Sequence, residues 1–336
     1  MNYFKQSTHK EPSRISLITA IFFYCSIANA QLSWKKVTDS FAPLPAGIEV
    51  YKTTDSLDGK PFIAYYAIAE LKNKQLQFTT DTTYKRRLTP AQFFEKNNHP
   101  LLVVNTSFFS FETNQNLNIV IKDGQLVSYN VHSLPGKGKD TFTYRHSFTG
   151  ALGITKKRTA DVAWTFTDSS QKIAYASQAA ITSWKDSAVL RPIKVICGQA
   201  VPIKTKPVFK KWKMQTGVGG GPVLVQNGAV KISNNEELKF AGKAINDQHP
   251  RTLMGYTKDK KLIVMAIEGR NPGLALGATL LQAANLMVAL GCVEAINLDG
   301  GGSSCMLING KETIKPSDKG LERPVPAVFM IEARKN

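Results

Sequence analysis

Three dipeptides limit what this chain can become. Asp123-Gly124, Asn227-Gly228 and Asn309-Gly310 each stand between two apolar runs, in NIVIKDGQLVSY, PVLVQNGAVKI and CMLINGKETI. Such pairs readily supply the left-handed backbone of a tight hairpin turn, so each marks two antiparallel strands. ALGITKKRTADVAWTF and TLMGYTKDKKLIVMAI predict two more hairpins, turning near Lys156 and Asp259, and PFIAYYAIAEL adds a strand or two. Two helices interrupt the β pattern. One runs from Thr89 to Asn97, with Thr89 as its cap and Pro90 at its first position. The other starts near Leu276 or Thr279, ends at Leu290 before Gly291, and is apolar around most of its circumference, which predicts substantial burial. The expectation is an α+β fold: a mixed, hairpin-rich β-sheet core with a few packed helices.

The long helix adds one βαβ-like crossover, because it lies between the strand KLIVMAIEGR and the strand VEAINLD. A crossover of this kind most often joins parallel neighbours, and ligands commonly bind beyond the carboxyl ends of such strands. One end presents Glu268 and Arg270; the other presents Asp299 followed by Gly300, Gly301 and Gly302.

With 336 residues, 43% of them hydrophobic and 20% charged, the chain is globular and long enough for one large core or two modest domains. Its first thirty residues stand apart. Lys5, Lys10 and Arg14 precede a largely apolar run from Ile15 to Ile27, then Ala28-Asn29-Ala30. This is the pattern of a secretory signal peptide cleaved after Ala30, which directs the chain to the periplasm or out of the cell. No later stretch is long enough to span a membrane. The net charge of +18 attracts anions, yet the bases are scattered through turns and loops and form no organised nucleic-acid module. After cleavage Cys197, Cys292 and Cys305 remain, an odd count that argues against a disulfide framework. A strand of about six residues between Cys292 and Cys305 spans roughly 20 Å, whereas bonded cysteines need Cα atoms within about 7 Å, so no bridge is expected there.

Four segments carry residues suited to chemistry. In Asn297–Ser304, Asp299 can act as base, acid or hydroxyl ligand, while Gly300, Gly301 and Gly302 can turn amides toward an oxyanion and Ser303 and Ser304 add hydroxyls. A strained turn capped by Asp299 is the structural alternative. The run is neither a P-loop nor a serine-hydrolase elbow, since no lysine follows it and no serine sits in the G-x-S-x-G frame. In HPRT, Arg251 offers a planar fork for phosphate or carboxylate, and His249 can shuttle a proton or hold a hydroxyl. In VVNTSFF, Asn105, Thr106 and Ser107 can pin a sugar hydroxyl or form an Asx turn, and Phe108 or Phe109 can face a ring. In TGVGGGPVLVQNG, Gly220 and Gly221 bring backbone close to a ligand or to a neighbouring loop. No segment has the spacing of a zinc or EF-hand site, and no cofactor is expected.

NTSFF at 105–109, GVGGGPVLVQNG at 217–228, HPRTLMGY at 249–256, IEGR at 267–270 and AINLDGGGSSCMLINGK at 295–311 together resemble the phosphodiester glycosidase family, over roughly residues 95–335. The resemblance implies a catalytic domain over 95–335, with residues 31–94 as an N-terminal lead-in with peripheral strands. It implies a hydrolase that cleaves the glycosidic bond of a sugar-1-phosphodiester or related glycan phosphate. Asp299 then corresponds to the acid of the family's DGGGS loop, with Glu268 as a second catalytic carboxylate. Arg251 and Arg270 correspond to its arginines, with Asn105, Thr106, Ser107, Gly220, Gly221, His249, Gly300, Gly301, Gly302 and Ser303 as substrate contacts. Two segments depart from the family pattern: Asn-Gly-Gly-Phe-Phe is here Asn105-Thr106-Ser107-Phe108-Phe109, and Asp-Gly-Arg is here Glu268-Gly269-Arg270. A non-catalytic binder of envelope carbohydrate or polyanion, or a hydrolase of another glycan linkage, fits the same charge and loops.

Overall fold

A computed structural model describes Met1, residues 32–189, Ile193 and residues 208–334. The signal-peptide pattern, with Cys25, and Cys197 lie outside the described residues. The described residues from Leu32 onward form one compact unit.

Each dipeptide turns a hairpin. Asp123, Gly124, Asn227, Gly228, Asn309 and Gly310 all have positive φ, between 49° and 78°. They close the pairs Lys122↔Gln125, Gln226↔Ala229 and Ile308↔Lys311. The two longer hairpins form as well, closing at Ile154↔Ala160 and Tyr256↔Leu262. These hairpins assemble into sheets of eight, seven and five strands plus a three-stranded ribbon, and every described pairing is antiparallel.

Alternation along the strands explains how the sheets pack. In Arg251–Thr257, Met254 points to one face and Leu253 to the other; in Lys261–Ile267, Val264 and Ala266 oppose Ile263, Met265 and Ile267. Both sets are apolar, so the eight-stranded sheet is buried on both sides. Its first face shares one core with the seven-stranded sheet through Leu152, Val162 and Trp164, and with the five-stranded sheet through Leu102, Val104 and Phe329. Its second face is covered by the helix Leu280–Ala289, which inserts Leu280, Ala283, Ala284, Leu286 and Met287. Thr279 caps that helix in a capping box with Gln282, although Leu281 on the opposite side remains exposed. The shorter helix, Pro90–Lys96, carries the matching box between Thr89 and Gln92 and lays Phe93 on the outer face of the five-stranded sheet.

Two sequence expectations change. The long helix does join strands that run in the same direction, Lys261–Ile267 and Cys292–Asn297, but they are not neighbours. Arg251–Thr257 lies between them and is antiparallel to both. The tight Lys258–Lys260 turn lays Lys261–Ile267 beside Arg251–Thr257, and Ala64–Glu70 takes its other side, so Cys292–Asn297 pairs instead with the free side of Arg251–Thr257. Both carboxyl ends still meet at one sheet edge, now with Arg251 between them. Residues 31–94 are also not a peripheral lead-in. They supply Ile48–Thr53 and Ala64–Glu70 to the eight-stranded sheet and Leu76–Thr82 to the five-stranded one, with Val50, Ala67 and Leu76 fully buried.

Candidate functional site

The loop after Asn297 is held in place by the segment at 105. Asn105 is fully buried; its Nδ2 donates to the Asp299 carbonyl at 2.7 Å, and its Oδ1 accepts from Thr252 Oγ1 and the Cys305 amide. The Asp299 amide donates to the Thr106 carbonyl at 2.7 Å. Asp299 is thereby fixed from both sides with its carboxylate half-buried at the sheet edge, accepting from the Gly300 amide at 3.0 Å. Burial pushes the carboxyl up to about 6, against the opposing pull of Ser303, the Gly300 amide, Arg323 and Lys239.

The three glycines make room for cations. Gly300 passes so close to the Pro250 carbonyl that a Cβ would stand 2.8 Å from it. At Gly301, with φ of 61°, the Arg270 guanidinium nitrogens lie 3.0 and 3.1 Å from the Cβ position. At Gly302 the Arg323 guanidinium overlaps that position outright. The loop backbone is thus a floor on which two guanidinium groups lie beside Asp299.

Arg251 is 2% exposed. Its Nε donates to the Ala278 carbonyl at 2.9 Å and its Nη2 to the Asp247 carbonyl at 3.4 Å. Among the described residues no carboxylate pairs with it. Burial, and then Arg270, depress its guanidinium to about 10. Two neighbouring cations, one buried without a counter-ion, are costly to assemble unless an anion joins them. His249 sits beside the pair: burial, Arg251 and Arg270 lower its pKa, and its buried Nδ1 has no partner among the described residues.

Lys239 and Phe240 complete the site. The Lys239 ammonium lies 4.8 Å from the Phe108 ring centre, and the Arg251 guanidinium 5.4 Å from that of Phe240; the two rings meet edge to face. Burial lowers Lys239 to about 8, opposed by Glu237 and Asp299. Glu237 is buried and accepts from Ser233 Oγ, Trp164 Nε1 and the amides of Gly150 and Val223; burial dominates and raises its pKa. Sequence reasoning missed Lys239, Phe240, Glu237 and Arg323. Arg323 comes from the irregular stretch before the last strand and Lys239 from the turn after Asn234–Glu237, and neither segment contains a motif.

Several sequence candidates have different duties. Asn105 is fully buried and bonds the Asp299 carbonyl, the Cys305 amide and Thr252 Oγ1, so it anchors the Asp299 loop to the sheet. Ser107 is buried and bonds Asn116. The amides of Gly220 and Gly221 donate to the carbonyls of Gly150 and Asn297, so that glycine run serves strand packing. Gly301, Ser303 and Ser304 likewise commit their amides to Pro250, Gly300 and Gly301. The Gly302 amide is the one N–H of Gly300–Ser304 left without an acceptor among the described residues. Glu268, 6% exposed, accepts from Asn271 Nδ2 and the Lys315 amide, and so braces the Arg270 loop. Buried hydroxyl or amide oxygens of Thr106, Asn297 and Ser304 lack partners among the described residues. No group of three potential metal ligands occurs among the described residues, and no described helix is long and apolar enough to cross a membrane. Cys292 and Cys305 are buried free thiols.

Asp299, its carboxyl pushed up, thus lies on a loop that ends a strand, among the four cations Arg251, Arg270, Arg323 and Lys239. The comparisons identify the class more closely. The model of the phosphodiester glycosidase family matches residues 98–332, and the chain belongs to that family. It is 30% identical over 103 residues to bovine N-acetylglucosamine-1-phosphodiester alpha-N-acetylglucosaminidase, a match covering 28% of this chain and 19% of the bovine protein. It is 37% identical over 87 residues to the SPbeta prophage-derived protein YomE of Bacillus subtilis, covering 26% of this chain and 13% of that one. These matches span less than a fifth of the length of either relative. The fold is similar to the zebrafish N-acetylglucosamine-1-phosphodiester alpha-N-acetylglucosaminidase catalytic domain auto-inhibited by its pro-peptide, with TM-score 0.56, 18% identity and coverage of 90% and 89% of the two chains. A hypothetical protein from Synechocystis matches with TM-score 0.56 at 15% identity, covering 90% of this chain and 68% of the other.

Proposed function

We propose that the protein is a hydrolase that cleaves the bond between a sugar's anomeric carbon and the oxygen of a phosphodiester, releasing the sugar and leaving a phosphate monoester on the aglycone. The observation that carries this reading is the Arg251–Arg270 pair, a buried cation and its neighbour with no ion-paired carboxylate on Arg251 among the described residues, beside the raised carboxyl of Asp299. The leaving group is a phosphate monoester dianion, the conjugate base of an acid of pKa about 6, so it departs with far less need of a general acid than an alkoxide once its charge is balanced. Arg251 and Arg270 supply that balance through charge-assisted hydrogen bonds. Asp299 takes a proton from the attacking water, whose hydroxyl bonds to the anomeric carbon as the C–O bond breaks. A carboxylate with a pKa of about 6 is largely ionised at neutral pH and a better base than an ordinary aspartate.

The half-buried wall of Phe108 and Phe240 takes the apolar face of the sugar. The unpartnered Thr106 and Ser304 hydroxyls and His249 Nδ1 receive its hydroxyls. Membership of the phosphodiester glycosidase family, and similarity to an N-acetylglucosamine-1-phosphodiester alpha-N-acetylglucosaminidase, support the substrate class. Residues 1–30 serve as the export signal, which puts the enzyme among envelope glycans, and residues 32–334 act as one catalytic unit.

Arg251→Gln tests the phosphate role. It raises KM for a sugar-1-phosphodiester by about tenfold or more, the loss expected for a charge-assisted bond, while an uncharged aryl glycoside of the same sugar loses far less. Equal losses on both substrates contradict the assignment.

A further inference from the structure

Phe111 is 64% exposed and stands just outside the Asp299 loop, among cations. The Arg323 guanidinium lies 5.4 Å from its ring centre, and Arg87 lies 5.4 Å from the same centre and 5.1 Å from that of Phe109. Arg323 pairs through Nε with Asp318 at 2.8 Å; among the described residues Arg87 has no carboxylate within ion-pair distance. We infer that Arg87 and Phe111 form an anion subsite that reads a second negatively charged group, a phosphate on the aglycone of the substrate. The inference rests on the proposed phosphodiester chemistry and names its substrate class: an aglycone that is itself phosphorylated, as in an oligomer or polymer of phosphodiester-linked units.

The cations form a continuous arc. Arg251 is a neighbour of Arg270; Arg270 and Arg323 both bear on Asp318; Arg323 rests on Gly302 and reaches Phe111; Arg87 reaches that same ring. Stacking on a phenyl ring orients a guanidinium without neutralising it, leaving its hydrogen-bonding edge free for a phosphate. Arg323 and Arg87 stand no farther apart than twice their distance to the shared ring, which suits successive phosphates on a short linker. The direction follows from enclosure. The Phe108–Phe240 wall is half-buried and suits a sugar of fixed size, whereas Phe111 opens to solvent, where an aglycone of any length can continue. Exposed Tyr84, with Lys85 5.3 Å from its ring centre, and exposed Arg86 extend the cationic rim beyond Arg87.

The test is calorimetric titration of the protein with propane-1,3-diyl bisphosphate and with propyl phosphate at one fixed ionic strength. Wild type binds the bisphosphate about tenfold more tightly, the gain from one added charge-assisted contact. Arg87→Gln, and separately Phe111→Ala, bring the bisphosphate down toward the monophosphate, while Lys211→Gln, on the outer strand of the seven-stranded sheet, preserves the gap. Equal affinities in wild type, a gap that survives Arg87→Gln, or a gap that Lys211→Gln also erases overturns the proposal. Binding needs no turnover, so the titration reads the subsite even in a protein that hydrolyses no sugar phosphodiester.

Discussion

Asp299 is where stability and chemistry conflict. Its carboxyl titrates at about 6 in the folded chain against an ordinary value of 3.8, so the native state disfavours ionisation. The linked loss of stability is absent below the ordinary value, grows as pH rises between the two, and is complete above about 6. Asp299→Asn therefore abolishes turnover yet raises Tm at pH 7, with no gain at pH 3 where both forms are neutral; thermal melts at the two pH values check this. The rate has two limbs for the same physical reason. Ionised Asp299 makes kcat/KM rise through pH of about 6, and loss of the Lys239 proton makes it fall through about 8. Lys239→Arg moves the falling limb upward in a pH–rate profile, whereas a profile that rises monotonically assigns Lys239 no part.

Among the loops and strands, the glycine runs are the instructive case. From sequence the two triple-glycine loops look alike, but the structure divides their work. Gly220 and Gly221 let a strand and two carbonyls meet inside the core, while Gly301 and Gly302 keep the loop surface flat for Arg270 and Arg323. Gly302→Ala forces Arg323 aside without asking for a left-handed backbone. It lowers kcat/KM by about tenfold or more, the order expected for a displaced charged group, with little change in Tm. Gly228→Ala is the converse: its Cβ meets nothing within 4 Å, but φ is 73°, so stability falls while activity holds. Parallel measurements of kinetics and melting separate the two.

Across the whole molecule, the hairpins and helices were legible because turn chemistry and caps are local. The position of Arg251–Thr257 between the two strands joined by the long helix was not, since it depends on the long-range pairing of Ala64–Glu70 with the other side of Lys261–Ile267. Asp299 and Arg270 could be brought to one edge from sequence, whereas Arg251 joins them only because Arg251–Thr257 lies between the two strands. The partners of Glu268, Asn271 and the Lys315 amide, could not be read because they come from loops with no pattern. Arg323 and Lys239 were invisible because long-range packing brings lone cations to the loop. The departure at Asn105–Phe109 also became intelligible only in three dimensions: Ser107 ties that loop to Asn116 and Asn105 ties it to Asp299.

The central claim concerns which bond breaks, and oxygen labelling reads that directly. When the protein hydrolyses a sugar-1-phosphodiester in H₂¹⁸O, attack at the anomeric carbon puts the label in the released sugar and leaves the phosphate monoester unlabelled. Label in the phosphate, with sugar-1-phosphate as a product, means attack at phosphorus and contradicts the account.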